Sequence, residues 1–272
     1  GVQTCALPIS AGYVLLLNQY LFQAYVIPSG SMIDTLLIQD RIFVNKLIYG
    51  PELLPGVLKF GSPIKVGRED VIIFENPDYE SRGTLFDIAQ RVIFMLTFSL
   101  VNIDRDKLTG EPLPHLLIKR AVAMGGDTVR FVDGELYIRF AGEDRWVAER
   151  EHIQKRGFKH NLNRLLHEED YIDMRQFAHT ETLAELGISG RSTRSLKNYD
   201  PLAYYQQKFE TAIAMLPQDE SLRNRVQRMR LGTYIGENMV LPLGDNRDNS
   251  HDGRYFGPIR QDKVLGRALL KF

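Results

Sequence analysis

Two serines lie in a short segment, Pro28-Ser29-Gly30-Ser31-Met32, whose proline and glycine are typical of a tight turn. A serine acts as a nucleophile when a turn exposes its hydroxyl and a neighbouring base takes the proton. Histidine and lysine both serve as that base in serine hydrolases. Because Ser-Gly-Ser turns are also common in ordinary loops, the segment indicates chemistry only together with such a base.

Lys119 is a candidate base because it interrupts an apolar run, Leu116–Val122, that predicts a strand. Burial of a lysine disfavours the ammonium form and lowers its pKa, and only the neutral amine accepts a serine proton near neutral pH. A lysine in a strand more often extends its aliphatic stem toward solvent. From this residue alone, both interpretations stay open.

A third candidate region is the polar run Gly244–Arg254, in which Asp245, Asp248 and Asp252 superficially suggest a calcium loop. Two arginines lie among these carboxylates, and the acidic spacing does not match the EF-hand pattern. The run therefore predicts mutual salt bridges and hydrogen-bonded turns rather than a metal site.

Hydrophobic periodicity predicts the elements that must position these residues. Strands are predicted at 41–46, 70–74, 116–122, 128–132, 134–140, 238–243 and 264–272. Helices are predicted at 201–215, 220–230 and 85–101. For 85–101 we expect a helix packed on the core rather than an interfacial membrane helix, because few basic residues flank it.

Composition excludes several functional classes. Of the 272 residues, 44% are hydrophobic, which is enough for a sizeable core. Lysine plus arginine and aspartate plus glutamate both number 34, so no overall basic field argues for nucleic acid. The single cysteine, Cys5, allows neither an intramolecular disulfide nor a thiolate pair for zinc or redox chemistry.

The segment 11–27, AGYVLLLNQYLFQAYVI, is almost free of charge but shorter than the ~20 residues of a full membrane span. A buried core helix, a signal-peptide core and the end of a membrane anchor are all compatible with that length. Residues 1–10 show no pattern relation to the apolar segment after them, and we interpret them as a non-native or truncated start.

Five segments in chain order resemble bacterial type I signal peptidase, also called leader peptidase, a serine protease family with a Ser-Lys dyad. The segments are Ile27–Met32 with Thr35-Leu36, Asp40–Lys46, Arg68–Phe74, Ile118–Val122 with Gly126-Asp127, and Gly244–Arg254 followed by Gly257 and Gly266-Arg267. Any one of them is compatible with chance, but all five in this order are specific. The sequence departs from the family pattern at Asp34, where proline is usual, at Ala123 and Gly125, which replace a glycine and a proline, and at Gly253, which replaces a serine.

The resemblance implies roles for residues by position. Ser31 would be the nucleophile and Lys119 the general base, while the Ser29 hydroxyl and the Ser31 N–H would form the oxyanion hole. Ser250 would orient the lysine amine. Four charged residues would support the site through salt bridges, namely Asp245, Arg247, Asp252 and Arg254. Five apolar residues would form shallow pockets for small substrate side chains, namely Tyr25, Ile27, Met32, Leu36 and Ile118.

The resemblance also implies a mostly β catalytic core, an inserted α-helical or mixed subdomain, and a membrane anchor of which 11–27 would be a remnant. The core would comprise 28–142, with an apolar helical insertion at about 78–114, together with 236–272. The inserted helical subdomain would be 143–235.

The implied function is that of a membrane-bound serine endopeptidase that removes signal peptides from exported preproteins after small residues of the A-x-A type. Its catalytic domain would lie on the extracytoplasmic side of the bacterial cytoplasmic membrane. Its partners would be preproteins and membrane lipid, with no nucleic acid, cofactor or metal, and no oligomer is implied.

Two alternative functions stay open from the residues alone. A self-cleaving Ser-Lys repressor shares the dyad, but the apolar segment directly before Ser31 opposes it. An inactive membrane-tethered module that binds signal peptides is opposed by the intact Ser31, Lys119 and Ser250. Trapping of an acyl-enzyme would distinguish an active protease from such a module.

Overall fold

A computed structural model of the chain describes residues 22–50, 52–54, 58–59, 61–62, 64–97, 101–105, 110, 113–190, 195–196 and 199–271. The chain divides into two compact units. The first comprises Gly1–Val122, Asn238–Asp245 and Asn249–Phe272, and the second comprises Ala123–Glu237 and Asn246–Asp248. The predicted non-native start, 1–10, lies outside the described residues.

The secondary structure is dominated by short strands. The strands are β1 Phe22–Val26, β2 Arg41–Asn45, β3 Glu52–Leu54, β4 Leu58–Lys59, β5 Val71–Glu75, β6 Leu116–Met124, β7 Thr128–Val132, β8 Glu135–Arg139, β9 Val147–Ala148, β10 Thr233–Tyr234, β11 Met239–Leu243, β12 Ile259–Arg260 and β13 Val264–Lys271. The helices are α1 Thr84–Leu96, α2 Glu149–Arg156, α3 Glu168–Glu185, α4 Pro201–Met215, α5 Glu220–Leu231 and α6 Gly253–Phe256.

The first unit is built on a seven-stranded sheet in the order β1-β2-β13-β5-β6-β11-β12. The central strands β5 and β6 pair antiparallel, with Ile72 opposite Lys119. Ile72, Ile73 and Phe74 are all buried, so β5 is covered on both faces. The buried run of β6 likewise extends over both faces, which explains why its sequence is a continuous apolar run rather than an alternation.

The second unit combines a four-stranded sheet, β10-β7-β8-β9, with helices. Helix α4 contacts α3 and α5, and both α4 and α5 contact β7. Asp200 caps α4 by accepting hydrogen bonds from the backbone N–H groups of Leu202 and Ala203, with Pro201 at the first helical position. Asp219 caps α5 through the N–H of Leu222.

All seven predicted strands are present, each within two residues of its predicted bounds, and the helices predicted at 201–215 and 220–230 are confirmed. The sequence does not predict β1, α2 or α3. The second unit begins at Ala123, so it contains the β7–β8 hairpin that the sequence assigns to the catalytic core. The prediction of a mostly β fold with an added helical part is therefore confirmed, whereas the bounds of the catalytic core and of the inserted subdomain stay a prediction.

One further expectation needs correction, and another stays open. Most of the predicted anchor remnant lies outside the described residues, but its end, Phe22–Val26, is strand β1, because it pairs antiparallel with β2. None of the helices among the described residues has the length and apolar character needed to cross a bilayer. The helix predicted at 85–101 is present as α1, Thr84–Leu96. Among its described side chains Gln90 is buried and Phe86, Ile88, Val92 and Ile93 are half-buried, and its packing on the core stays a prediction.

Candidate active site

Ser31 is held in a single 3-10 turn, Gly30–Met32, in the connection between β1 and β2. The Ile33 N–H donates to the Gly30 carbonyl at 3.3 Å, and the Leu36 N–H donates to the Met32 carbonyl at 2.7 Å. A side chain at Gly30 would lie 2.8 Å from the Ile33 Cδ1, so this turn requires a glycine unless Ile33 moves. The first N–H groups of a helical turn have no carbonyl partner within it, and the oxyanion-hole role of the Ser31 N–H stays a prediction.

The Lys119 amine reaches Ser31. Lys119 Nζ lies 2.7 Å from Ser31 Oγ and donates to the Ile118 carbonyl at 3.0 Å. Lys119 is 3% exposed and Ser31 is 6% exposed. The structure therefore brings together the two residues that sequence reasoning pairs across 88 positions of the chain.

Burial in the sheet lowers the pKa of Lys119 to about 8. The negative charges of Asp252 and Asp245 act in the opposite direction, and Arg254 lowers the pKa further. At pH 7, such a pKa leaves about one tenth of the amine neutral and able to accept a proton. Desolvation is thus the largest cause of the lowered pKa.

The two remaining serines lie close to Ser31. Ser29 is exposed, and its Oγ lies 3.5 Å from Ser31 Oγ. Ser250 is 9% exposed, and its hydroxyl has no hydrogen-bond partner among the described residues. A side chain at Gly244 would overlap the Ser250 hydroxyl and lie 2.6 Å from the Ser31 carbonyl oxygen, so this glycine allows both serines to approach. The orienting role of Ser250 toward Lys119 stays a prediction.

Asp245 binds Arg120, a residue that sequence reasoning does not select. Arg120 Nε and Nη2 donate to the two Asp245 carboxylate oxygens at 2.8 and 2.6 Å. Thr35 Oγ1 donates to the same carboxylate at 2.5 Å, and Arg120 Nη1 donates to the Glu69 carbonyl at 3.0 Å. The sequence contains one signal that could have identified Arg120: it is a second charged residue in the apolar run, next to Lys119.

Asp252 binds two other residues of the polar run Gly244–Arg254. It accepts a hydrogen bond from the Gly244 N–H at 2.9 Å and forms an ion pair with Arg254 Nε at 2.9 Å. Arg247 instead pairs with Glu149, at 2.6 and 2.7 Å, within the second unit. The prediction of mutual salt bridges is thus right for Asp252 and Arg254. Asp245 and Arg247 instead bind Arg120 and Glu149, which lie outside the run.

The predicted pocket residues form one apolar cluster. Ile27, Met32, Leu36 and Ile118 are buried members, and Tyr25 packs against them as a partly buried side chain. Met32 and Ile118 are the chain neighbours of Ser31 and Lys119, so the cluster adjoins the dyad. Their role in substrate binding stays a prediction.

Two departures from the family pattern are glycines with little room around them. A side chain at Gly253 would lie 2.7 Å from the Leu241 Cδ1 and 2.8 Å from the Pro242 carbonyl oxygen. A side chain at Gly125 would overlap the backbone of Glu237. Asp34 is exposed. Local packing therefore accounts for the two glycines.

Comparison with known proteins identifies relatives along nearly the whole chain. Signal peptidase I of Aquifex aeolicus is 25% identical over 274 residues, which cover 94% of this chain and 78% of that protein. Signal peptidase I of Haemophilus influenzae is 26% identical, with 94% of this chain and 64% of that protein covered. Signal peptidase I of Pseudomonas aeruginosa is 30% identical, with 93% and 61% covered. The chain thus spans less than two thirds of the last two proteins.

A solved structure of a signal peptidase I from Enterococcus faecalis matches 77% of this chain and 100% of that chain at 20% identity. Its TM-score of 0.28 is too low to support an argument about the fold. The family model described as signal peptidase, peptidase S26, matches residues 3–272. With this match, the chain belongs to the signal peptidase family, peptidase S26, and is a serine endopeptidase of the type I signal peptidase kind.

Proposed function

We propose that this chain removes signal peptides from exported preproteins at a bacterial cytoplasmic membrane, with Ser31 as the nucleophile and Lys119 as the general base. The observation that carries this assignment is the buried Lys119 amine, 2.7 Å from the Ser31 hydroxyl, with a pKa lowered to about 8. A neutral amine at that distance accepts the hydroxyl proton as the serine attacks.

The reaction proceeds in two halves. In acylation, Ser31 Oγ bonds to the substrate carbonyl carbon while its proton passes to Lys119 Nζ; the C–N bond then breaks, and Lys119 returns the proton to the leaving amine. In deacylation, Lys119 takes a proton from water, the hydroxide attacks the ester, and the proton returns to Ser31 Oγ as the acyl group leaves.

The developing negative charge on the carbonyl oxygen needs donors that are already in place. The Ser31 N–H lies in the first turn of a 3-10 segment, and the exposed Ser29 hydroxyl lies 3.5 Å from Ser31 Oγ. Their position beside the Ser31 hydroxyl supports this assignment. Removal of one such donor typically costs about 100-fold in kcat.

Selection of small residues at the cleavage site is assigned to the cluster around Ile27, Met32 and Ile118. These side chains are 2%, 0% and 9% exposed. The assignment of shallow pockets to them is supported by their packing against one another in one apolar cluster. This fits short substrate side chains such as alanine, the residues that flank signal-peptide cleavage sites.

The localisation on the extracytoplasmic side of the membrane is part of the same proposal. Its support is the family, whose members are membrane-associated in bacteria, and the apolar sequence 11–21 directly before β1. Signal peptides carry an apolar core that lies in the membrane during export, so the protease must meet its substrate at a lipid surface.

The test uses the full chain with a preprotein substrate in lipid or detergent. Ser31→Ala and Lys119→Met are each expected to lower the cleavage rate by at least about 1,000-fold. Ser189→Ala, an exposed serine of the second unit, serves as the matched control and should cleave at the wild-type rate. Near-normal turnover by either dyad variant rejects the assignment.

An acylating peptide mimic separates the protease from an inactive signal-peptide-binding module. Mass spectrometry is expected to find one adduct on Ser31 in the wild-type chain and none in Ser31→Ala. A chain that binds signal peptides without forming this adduct would be a binding module.

A further inference from the structure

Asp34 is the only charged residue in the segment 27–39, which forms most of the connection between β1 and β2 and contains the nucleophile. It lies three residues after Ser31 and is exposed, whereas its chain neighbours Ile33 and Thr35 are half-buried. The family pattern has proline at this position. The chain therefore places a carboxylate on the solvent side of the nucleophile's turn, where the family pattern has no charge.

The residues that follow Asp34 anchor the turn on the protein side. Thr35 Oγ1 donates to the buried Asp245 carboxylate at 2.5 Å, and Leu36 is a buried member of the apolar cluster beside the dyad. The Leu36 N–H donates to the Met32 carbonyl at 2.7 Å, so Asp34 lies in the middle of a closed turn. These contacts hold the position of Asp34 without using its side chain.

The chain itself limits the distance between Asp34 and the reacting atom. Three residues span at most about 11 Å, and the hydrogen bond from the Ile33 N–H to the Gly30 carbonyl shortens that span. An extended substrate advances about 3.3 Å per residue. The first three substrate residues after the scissile bond therefore lie about as far from Ser31 as Asp34 does.

The charge of Asp34 is not neutralised by a neighbour. Among the described residues, none forms an ion pair or a hydrogen bond with its side chain. Asp40 and Arg41, at the end of the connection, are adjacent charges of opposite sign. The buried charges near the dyad form two ion pairs, Arg120 with Asp245 and Arg254 with Asp252. The field of Asp34 therefore extends into the solvent beside Ser31.

The chemistry of a signal peptide determines on which side of the scissile bond this field acts. The basic residues of a signal peptide lie at its start, and an apolar core and small residues separate them from the cleavage site. Those small residues are assigned above to the cluster around Ile27, Met32 and Ile118. Charged residues close to the bond therefore lie after it, at the start of the mature protein.

We propose that Asp34 is a specificity-determining residue, whose carboxylate favours preproteins with a basic residue, and disfavours those with an acidic residue, among the first three positions of the mature protein. The inference rests on the proposed function. Between unit charges about 7 Å apart in water, the interaction corresponds to about a threefold change in affinity. Because substrate and transition state carry the same charge there, the effect should appear in KM rather than in kcat.

The first experiment measures kcat/KM of the full chain in non-ionic detergent with three preproteins that differ only in Lys, Gln or Glu at the second mature position. The wild-type ratio of the Lys to the Glu substrate is expected to be about tenfold. It should fall to about one in Asp34→Asn, stay near tenfold in Asp34→Glu and invert in Asp34→Lys. A variant that is merely damaged loses activity on all three substrates together and keeps the ratio.

The matched control is Asp144→Lys, which makes the same charge change at an exposed aspartate of the second unit. Its Lys-to-Glu ratio should stay at the wild-type value. Ionic strength supplies an independent readout, since the Debye length falls from about 20 Å at 20 mM salt to about 4 Å at 500 mM. The wild-type ratio should decrease over this range, whereas the ratio of Asp34→Asn should not change.

A wild-type ratio near one, or a tenfold ratio that persists in Asp34→Lys, overturns the proposal. Efficient cleavage of all three preproteins at equal rates contradicts this inference alone and leaves the proposed function supported. A wild-type chain that cleaves none of the three contradicts the proposed function and, with it, the role of Asp34.

Discussion

Two buried arginine–carboxylate pairs use neighbouring residues of the run 244–254. In the first unit, Arg120 binds Asp245 through two hydrogen bonds, and the side chains are 7% and 0% exposed. In the second unit, Arg247 binds Glu149 through two hydrogen bonds, and the side chains are 2% and 1% exposed. By geometry and burial the two pairs are nearly equivalent.

They differ in what surrounds them. The Asp245 carboxylate also accepts from Thr35, and its charge acts on the pKa of Lys119. Glu149 and Arg247 are not among the causes of that pKa. A buried ion pair is weak evidence for function by itself, because such pairs are also structural. Coupling to a titrating group with a shifted pKa is the feature that distinguishes the pair at the dyad.

The largest expected contrast is between Arg120→Met and Arg247→Met. Each leaves a buried carboxylate without its cation, which destabilises the unit that contains it by about 3–5 kcal/mol. Arg120 is also the neighbour of Lys119 on its strand, so its replacement disturbs the position of the lysine amine. We therefore expect kcat/KM to fall about 100-fold in Arg120→Met.

The measurement combines peptide cleavage at a temperature where both variants are folded with amide hydrogen exchange, which reports each unit separately. Arg247→Met should lose protection in the second unit while its kcat/KM stays within about twofold of the wild type. Comparable activity losses in the two variants would remove the distinction between the pairs.

Lys119 itself is a buried charge whose desolvation outweighs the attraction of nearby carboxylates. Its pKa is about 8 in the folded chain against an ordinary 10.5, so between these pH values the folded state binds fewer protons than the unfolded state. Wild-type stability relative to Lys119→Met should therefore rise with pH across this window, by about 3 kcal/mol in total.

Urea unfolding at pH 7 and above pH 10 measures this difference. Lys155→Met, at a lysine whose side chain is 63% exposed, is the control and should show no such dependence. A stability difference between Lys119→Met and the wild type that is constant with pH would mean that Lys119 is not desolvated.

The pH profile of catalysis gives a smaller but more specific contrast. Because the neutral amine is the active form, wild-type kcat/KM should rise about tenfold per pH unit below 8 and level off above it. In Arg120→Met the uncompensated Asp245 charge favours the ammonium form, so the midpoint should move to higher pH by up to about one unit. The midpoint of Arg247→Met should not move. A shift in that variant would contradict the conclusion that only the Arg120–Asp245 pair acts on the pKa of Lys119.

The sequence was sufficient to identify strands and candidate site residues where the local hydrophobic pattern matches the burial in the structure. A strand in the centre of a sheet is an apolar run, so Leu116–Val122 was identifiable, and Lys119 was visible as its exception. Arg120 was equally exceptional, but its partner lies 125 positions away, and no local pattern identifies such a contact. Long-range partners of a buried charge follow from the strand order, which periodicity does not supply.

Helix α1 shows a second limit of sequence reasoning. Its apolar spacing predicts a helix with two faces, and the helix is present. Periodicity does not say which face is turned inward. Gln90 is buried and donates to Asn102, which comes after the helix in the chain, and no local pattern identifies that contact. The packing of the apolar face on the core therefore stays a prediction.

The smallest expected effect concerns Gly253, which follows Asp252 in the chain. The family pattern has serine at this position, but here a side chain would lie 2.7 Å from Leu241 and 2.8 Å from the Pro242 carbonyl. Gly253→Ser should therefore destabilise the first unit by about 1–3 kcal/mol through overpacking, although it restores the family residue.

Gly61→Ser is the matched control, because no atom lies within 4 Å of the added side chain, and its effect should be below about 0.5 kcal/mol. Hydrogen exchange should show the loss from Gly253→Ser in the first unit, with the Arg247–Glu149 region of the second unit unchanged. A loss of amide protection around Arg247 and Glu149 as well would mean that strain at Gly253 extends along the run to the second unit. The Arg120–Asp245 and Arg247–Glu149 pairs could then not be treated as independent.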